Sequence, residues 1–202
     1  MMLEDFKKTA EEITGIARPS AEQAQALVWP RAAHVHRFED DGRVPNHPRW
    51  PLVHYREAVT LDAHFDPAAI FETLFAAHGW GAGWRDGVYD FLHFHSKVHE
   101  VLGIARGQAV VRFGGDKGSQ ITLTAGDAII QPAGTGHQCI TASDDLLVVG
   151  AYPLNADPAN AYDECPPTPE AHDRALEAIA AVPAPQADPL YGATGALVRL
   201  WC

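Results

Sequence analysis

The stretch HFHSKVHE, from His93 to Glu100, places three imidazoles and one carboxylate within eight residues. Imidazole nitrogens and carboxylate oxygens hold first-row divalent cations, and they also move protons near neutral pH. Two chemistries are therefore open, a metal site and acid–base work by histidine. A polar loop that is merely rich in imidazole is the bland alternative. His93 and His95 are two residues apart, so on a strand both rings point to one face. SKV then turns and a second strand begins. On it Glu100, Leu102 and Ile104 share one face, while His99, Val101, Gly103 and Ala105 share the other. The large apolar pair Leu102 and Ile104 marks the core side, which turns Glu100 inward and His99 away. A slip of one residue would reverse this, making His99 the ligand and Glu100 an acid or base behind it. The alternation favours Glu100. The fourth group is His137 in GDAIIQPAGTGH, where PAGTG reads as a tight turn and the histidine opens the next strand.

Several elements must position these groups. Leu3, Phe6, Ala10 and Ile13 fall at helical spacing over residues 3–14, and Gly15 and Pro19 end that run. Ser20 with Gln23 reads as a capping box for a second short helix, stopped by Pro30. HVHRF (34–38) and LVHYREAV (52–59) read as strands around a turn-rich piece. Asp66 and Pro67 open a helix whose stripe is Ile70, Phe71, Leu74 and Phe75, with Gly79 at its end. Then GWGAGWRDG reads as a glycine-rich loop carrying Trp80 and Trp84. Beyond it VYDFLHFH, EVLGIAR, AVVRF, QITL, DAIIQP, HQCIT and LLVVGAY recur as short strands, separated by Gly, Asp, Ser and Pro. That rhythm predicts an antiparallel sandwich or barrel. Tyr89 and Phe91 share the parity of His93 and are expected to fill core on the inward face. Thr168 and Pro169 start a last helix with Leu176 and Ile179 facing inward.

Size and charge narrow the function. A chain of 202 residues that is 47% hydrophobic suits one domain with a real core and helical additions. A formal net charge of −11 repels phosphate backbones and anionic lipid, so neither nucleic acid nor membrane is an expected partner. The 3 cysteines are scattered and form no CxxC, against a disulfide framework or a thiolate zinc site. MMLEDFKK mixes charges without an apolar run, and no apolar stretch approaches bilayer length, so a cytoplasmic location is expected.

Two sets of spacings in the chain resemble the cupin motifs. In the first, Gly87, His93, His95, Glu100 and Gly107 fall at every position of the pattern G, five residues, H-x-H, three or four residues, E, six residues, G. In the second, Gly126, Pro132, Gly134 and His137 fit, with Thr141 where an Asn is usual. More loosely, FEDDGRVPNHPRWPL, GVYDFLHFHS and HEVLGIARG are similar to an uncharacterised group of bacterial single-domain cupins. The resemblance implies a mainly β fold, an RmlC-like jelly-roll barrel (a double-stranded β-helix) with added N-terminal, central and C-terminal helices. It divides the chain into a helical arm over 1–30 and one cupin domain over 31–202, with the motif core at 87–152. It also implies His93, His95, Glu100 and His137 as ligands of a divalent metal, namely Fe, Mn, Ni or Zn. Such a set leaves about two positions open in an octahedral shell.

The function implied is a metal-dependent enzyme, of oxygenase or isomerase type, acting on a small polar organic molecule, with Glu100 and His99 as candidate catalytic groups. Two alternatives stay open. One is a non-catalytic cupin that senses a small molecule and signals through a protein partner. The other is a metal-free isomerase using histidines as acid and base. Exposed jelly-roll edges, with the helical arm, make a homodimer the expected assembly.

Overall fold

The computed structural model describes residues 16–160 and 168–202. The helix expected over 3–14 and Cys165 lie outside them. Helix α1 spans Ala21–Ala26, and its capping box is formed. Ser20 accepts from the Gln23 main chain, and the Gln23 side chain accepts from the Ser20 main chain. Two strands follow, β1 (His34–His36) and β2 (Leu52–Tyr55), shorter than the pattern predicts. Glu57, at φ 47, is in left-handed backbone and takes the chain out of the extended run. Helix α2 (Pro67–Ala77) is capped by Asp66, whose side chain accepts from the Ala68 N–H. Its stripe of Ile70, Phe71, Leu74 and Phe75 is fully buried. Each such side chain stabilises the fold by roughly 1.5–3 kcal/mol relative to exposure.

The remaining strands are β3 (Trp80–Asp86), β4 (Glu100–Arg106), β5 (Gln108–Phe113), β6 (Ser119–Thr124), β7 (Ala128–Gln131), β8 (His137–Ala142) and β9 (Leu147–Pro153). Helices α3 (Pro169–Ala181) and α4 (Ala196–Leu200) close the chain. One antiparallel sheet has the order β1-β2-β7-β4-β9-β3, and a smaller one has the order β6-β5-β8. Two expectations are corrected here. GWGAGWRDG is not a loop but edge strand β3, paired with β9. VYDFLHFH is not a regular strand. It is a run that bends at Asp90 and Phe91 and is tied to β8 by the bridge between His93 and His137 and by the Cys139 N–H, which donates to the Tyr89 carbonyl at 2.8 Å. That run lies along the edge of the smaller sheet, where its main-chain partners are Gly134, His137 and Cys139.

The central strands of the larger sheet are buried on both sides. Leu52, Leu102, Ile104, Ile129 and Val148 pack with Val111, Phe113 and Leu123 of the smaller sheet, filling the sandwich. Val53, Val101, Ala105, Ile130, Val149 and Ala151 face the other way, under α2, α4 and Trp201. Gly103 lies on that outer side, where an added Cβ would stand 2.4 Å from the ring of Phe71. The lack of a side chain there lets α2 approach the sheet. The strict alternation along β4 thus assigns each side chain to one of two cores.

Candidate metal centre

The site forms where the first residue of β8 meets the run before β4. His93 and His137 exchange main-chain hydrogen bonds, 3.2 Å from the His93 N–H and 2.9 Å from the His137 N–H. The Gly134 N–H donates to the His95 carbonyl at 2.7 Å, fixing the second histidine against the turn after β7. That turn needs glycine at position 134. Its φ is +85, and a Cβ would stand 2.4 Å from Ile179 of α3.

Three imidazoles converge as a result. The centroids of His93 and His137 are 3.9 Å apart, those of His95 and His137 5.4 Å, and those of His93 and His95 5.6 Å. One ligating nitrogen from each lies within 4.8 Å of the others, and all three residues are buried. Main-chain carbonyls fix two of the tautomers. His93 Nδ1 faces the Phe91 carbonyl at 3.1 Å, and His137 Nδ1 faces that of Thr135 at 3.1 Å. A carbonyl only accepts, so each Nδ1 carries the proton and each Nε2 presents a lone pair.

Glu100 stands on the sandwich side of β4, with Leu102 and Ile104. Its Oε2 is 3.4 Å from His95 Nε2 and 3.7 Å from His137 Nε2. Burial would push this carboxyl up, but His95, His137 and the Gln131 amide hold it down to about 2. Burial and the neighbouring His93 push His137 well below the ordinary imidazole range. Ionised carboxylate and neutral imidazole are the forms that bind a divalent cation. Two nitrogens at about 2.1 Å from one ion stand no more than about 4.2 Å apart. Three nitrogens within 4.8 Å of one another are near enough for the rings to close on one such ion.

His99 is not brought to this cluster. It sits at the entry to β4, among Trp50, Trp201 and His47, with ring centroids 4.8 Å from Trp201 and 5.5 Å from Trp50. Its Nδ1 accepts from the Ala133 N–H at 2.9 Å, and its Nε2 donates to the Pro183 carbonyl at 3.2 Å. Both nitrogens are thus spent on structure. Burial and the neighbouring His47 push its pKa down to about 3.

A cavity of about 290 Å³ opens onto His93, His95, Glu100 and His137, walled by Trp84, Val88, Tyr89, Leu102 and Tyr152 among others. Arg85 stiffens this wall. Its guanidinium grips Glu72 with two nitrogens at 2.6 and 2.9 Å and Asp66 with a third at 2.6 Å, joining β3 to the start of α2. Tyr89 and Phe91 do not fill core. They are 47% and 42% exposed, stack on each other and lie beside the His93 ring. Of the two tryptophans on β3, Trp80 is buried in the outer core and Trp84 lines the cavity.

Three residues at the centre carried little signal in the sequence. Gln131 faces Glu100 directly across the β4–β7 pair. A polar residue at the parity of the sandwich-facing Ile129 was the available hint. Tyr152 shares the parity of the sandwich-facing Val148. Trp84 lay hidden in what read as a loop.

Two antiparallel sheets packed face to face, with a His-x-His pair and a distant histidine meeting between them, are the arrangement that the resemblance to the cupin motifs implies. No family model matches the chain. It is 37% identical over 171 residues to a Bacillus subtilis (strain 168) protein called "Uncharacterized protein YjlB", covering 85% of this chain and 98% of that one. The chain belongs to the family of YjlB. Among solved structures it is similar to RmlC from Streptococcus suis in complex with dTDP-D-xylose, at 15% identity and TM-score 0.36, over 62% of this chain and 72% of that one. It is also similar to the WlaRB TDP-quinovose 3,4-ketoisomerase from Campylobacter jejuni, at 14% identity and TM-score 0.36, over 47% and 73%. Among the described residues, no helix is long and apolar enough to cross a membrane.

Proposed function

We propose that the protein is a metal-dependent enzyme, of oxygenase or isomerase type, acting on a small polar organic molecule. His93, His95 and His137 would hold the cation, with Glu100 as the fourth ligand. The observation that carries this reading is the convergence of three buried imidazoles, two with Nδ1 tied to main-chain carbonyls, beside an ionised buried carboxylate. Three nitrogens and one oxygen suit iron, manganese, nickel or zinc. When bound, the cation supplies a Lewis acid with open positions for substrate oxygens.

The chain's own residues set what reaches it. Trp84, Val88, Leu102 and the tyrosines shed water from the cavity and offer apolar area to the body of a ligand. Tyr152 places a hydroxyl on the wall, 2.9 Å from the indole N–H of Trp84. Glu100, held ionised, would complete the ligand set and lower the net charge of the site.

The test is metal analysis of the purified chain, then oxygen uptake and isomerisation assays with small hydroxy- and keto-compounds before and after chelation. Bound metal, with turnover lost on chelation and restored by one of the four ions, is the expected result. Turnover that survives complete metal removal would overturn it, as would a ligand that binds and never reacts.

A further inference from the structure

Glu100 is restrained at both oxygens. Gln131 Nε2 donates to Oε2 at 2.6 Å, a short contact of the charge-assisted kind. The same nitrogen lies 3.3 Å from His137 Nε2. The reversed amide would set two oxygens 2.6 Å apart, so the ionised carboxylate fixes the orientation shown. That orientation leaves Gln131 Oε1 buried with no hydrogen-bond partner. An orphaned buried carbonyl costs about 1–3 kcal/mol. The glutamine is therefore poorly explained as a packing residue; its amide donates to Glu100 at 2.6 Å and, at the longer distance of 3.3 Å, faces the lone pair of His137 Nε2.

The second restraint comes from the sheet edge. Trp84 Nε1 lies 3.3 Å from Glu100 Oε1 and 2.9 Å from the Tyr152 hydroxyl. The indole reaches Glu100 by crossing β9 at Gly150, where a Cβ would stand 2.1 Å from the ring. Any side chain at position 150 would displace the tryptophan. Leu102, two residues beyond Glu100 on the same face, pairs with Gly150 from the other side. Donors from two different strands, β7 and β3, thus hold one carboxylate.

We infer that Gln131 and Trp84 are positioning residues that clamp Glu100, aiming Oε2 at the histidine centre and holding Oε1 back. This rests on the proposed metal site. Clamping leaves one oxygen to face the cation and spares the cost of ordering the side chain on binding. Partners of this kind typically contribute 10–100-fold to metal affinity.

The experiment is cobalt titration of the chelator-treated full-length chain, read by visible d–d absorption. The proteins compared are the unaltered chain, Gln131→Met and Trp84→Phe, each also in a Glu100→Gln background, with thermal melts recorded alongside. Methionine keeps the length of glutamine without its N–H, and phenylalanine keeps an aromatic ring over Gly150. Each replacement is expected to weaken cobalt binding about tenfold or more and to alter the d–d bands. In the Glu100→Gln background the further loss should be less than about twofold, because the group being positioned is gone. Equal losses in both backgrounds would overturn the inference, since the residues would then act on the fold or on the imidazoles. Unchanged affinity and bands in the single variants would also overturn it. If the unaltered chain takes up no cobalt, the proposed metal site falls and the clamp with it. If Gln131→Met fails to fold, Trp84→Phe decides alone.

Discussion

His93 and His137, 44 positions apart in the chain, exchange two main-chain hydrogen bonds and bring their ring centroids to 3.9 Å. Backbone pairing, rather than side-chain attraction, creates the cluster. Two neutral imidazoles gain little from each other in a buried setting, and the ladder holds them there.

Removing one imidazole should therefore spare the fold. His137→Ala is expected to keep its circular dichroism spectrum while bound metal falls to background. A divalent ion at 100 times its dissociation constant stabilises the native state by about 2.7 kcal/mol. That corresponds to a melting shift of roughly 5–10 °C for a chain of this size. The unaltered protein should show the shift and His137→Ala should lack it. Full metal retention by the variant would refute the assignment.

The environment of His47 makes stability depend on pH. It is buried and stacks on Trp50, and its Nδ1 accepts from the Arg49 and Trp50 N–H groups. Burial and the charge of Arg49 hold its pKa down to about 4. The unfolded chain takes up this proton below about pH 6.5 and the folded chain does not until about pH 4. Between those values the unfolded state binds more protons, so stability falls as pH falls, by about 1.4 kcal/mol per pH unit from this one group. Urea unfolding at pH 7, 6 and 5 should show the slope, to which the buried His99 and His137 add in the same direction, and His47→Phe should reduce it. An identical slope in the variant would show that other groups set the dependence.

Asp188 organises the C-terminal segment over the outer core. It is fully buried and accepts from the Tyr55 hydroxyl at 2.5 Å and from the N–H groups of Leu190, Tyr191 and Leu197. Asp188→Ala orphans all four donors. The loss should be about 3 kcal/mol or more, a fall in melting temperature of roughly 6–12 °C. A shift under about 2 °C would mean that water replaces the carboxylate at little cost.

Gly103 sets how closely α2 approaches β4. Gly103→Ala forces the Phe71 ring away from a contact of 2.4 Å. Overpacking of this kind costs about 1–3 kcal/mol. The variant should melt lower, and Gly103→Ala combined with Phe71→Leu should recover part of the loss. Absence of any recovery would place the strain elsewhere.

Much of this was readable in the chain itself, because helix and strand periods are local. The Asp66–Pro67 start and the Phe71 stripe of α2 follow from capping chemistry and a period of 3.6. The inward aim of Glu100 follows from a period of 2, anchored by Leu102 and Ile104. Proximity between distant elements has no such local code. Sheet order decided that β7 places Gln131 opposite Glu100, and that β3 brings Trp84 across Gly150. The closing segment decided that His99 is enclosed by Trp201, 102 positions away. Alternation tells a side chain which face it occupies, and only the pairing of strands determines which neighbours share that face.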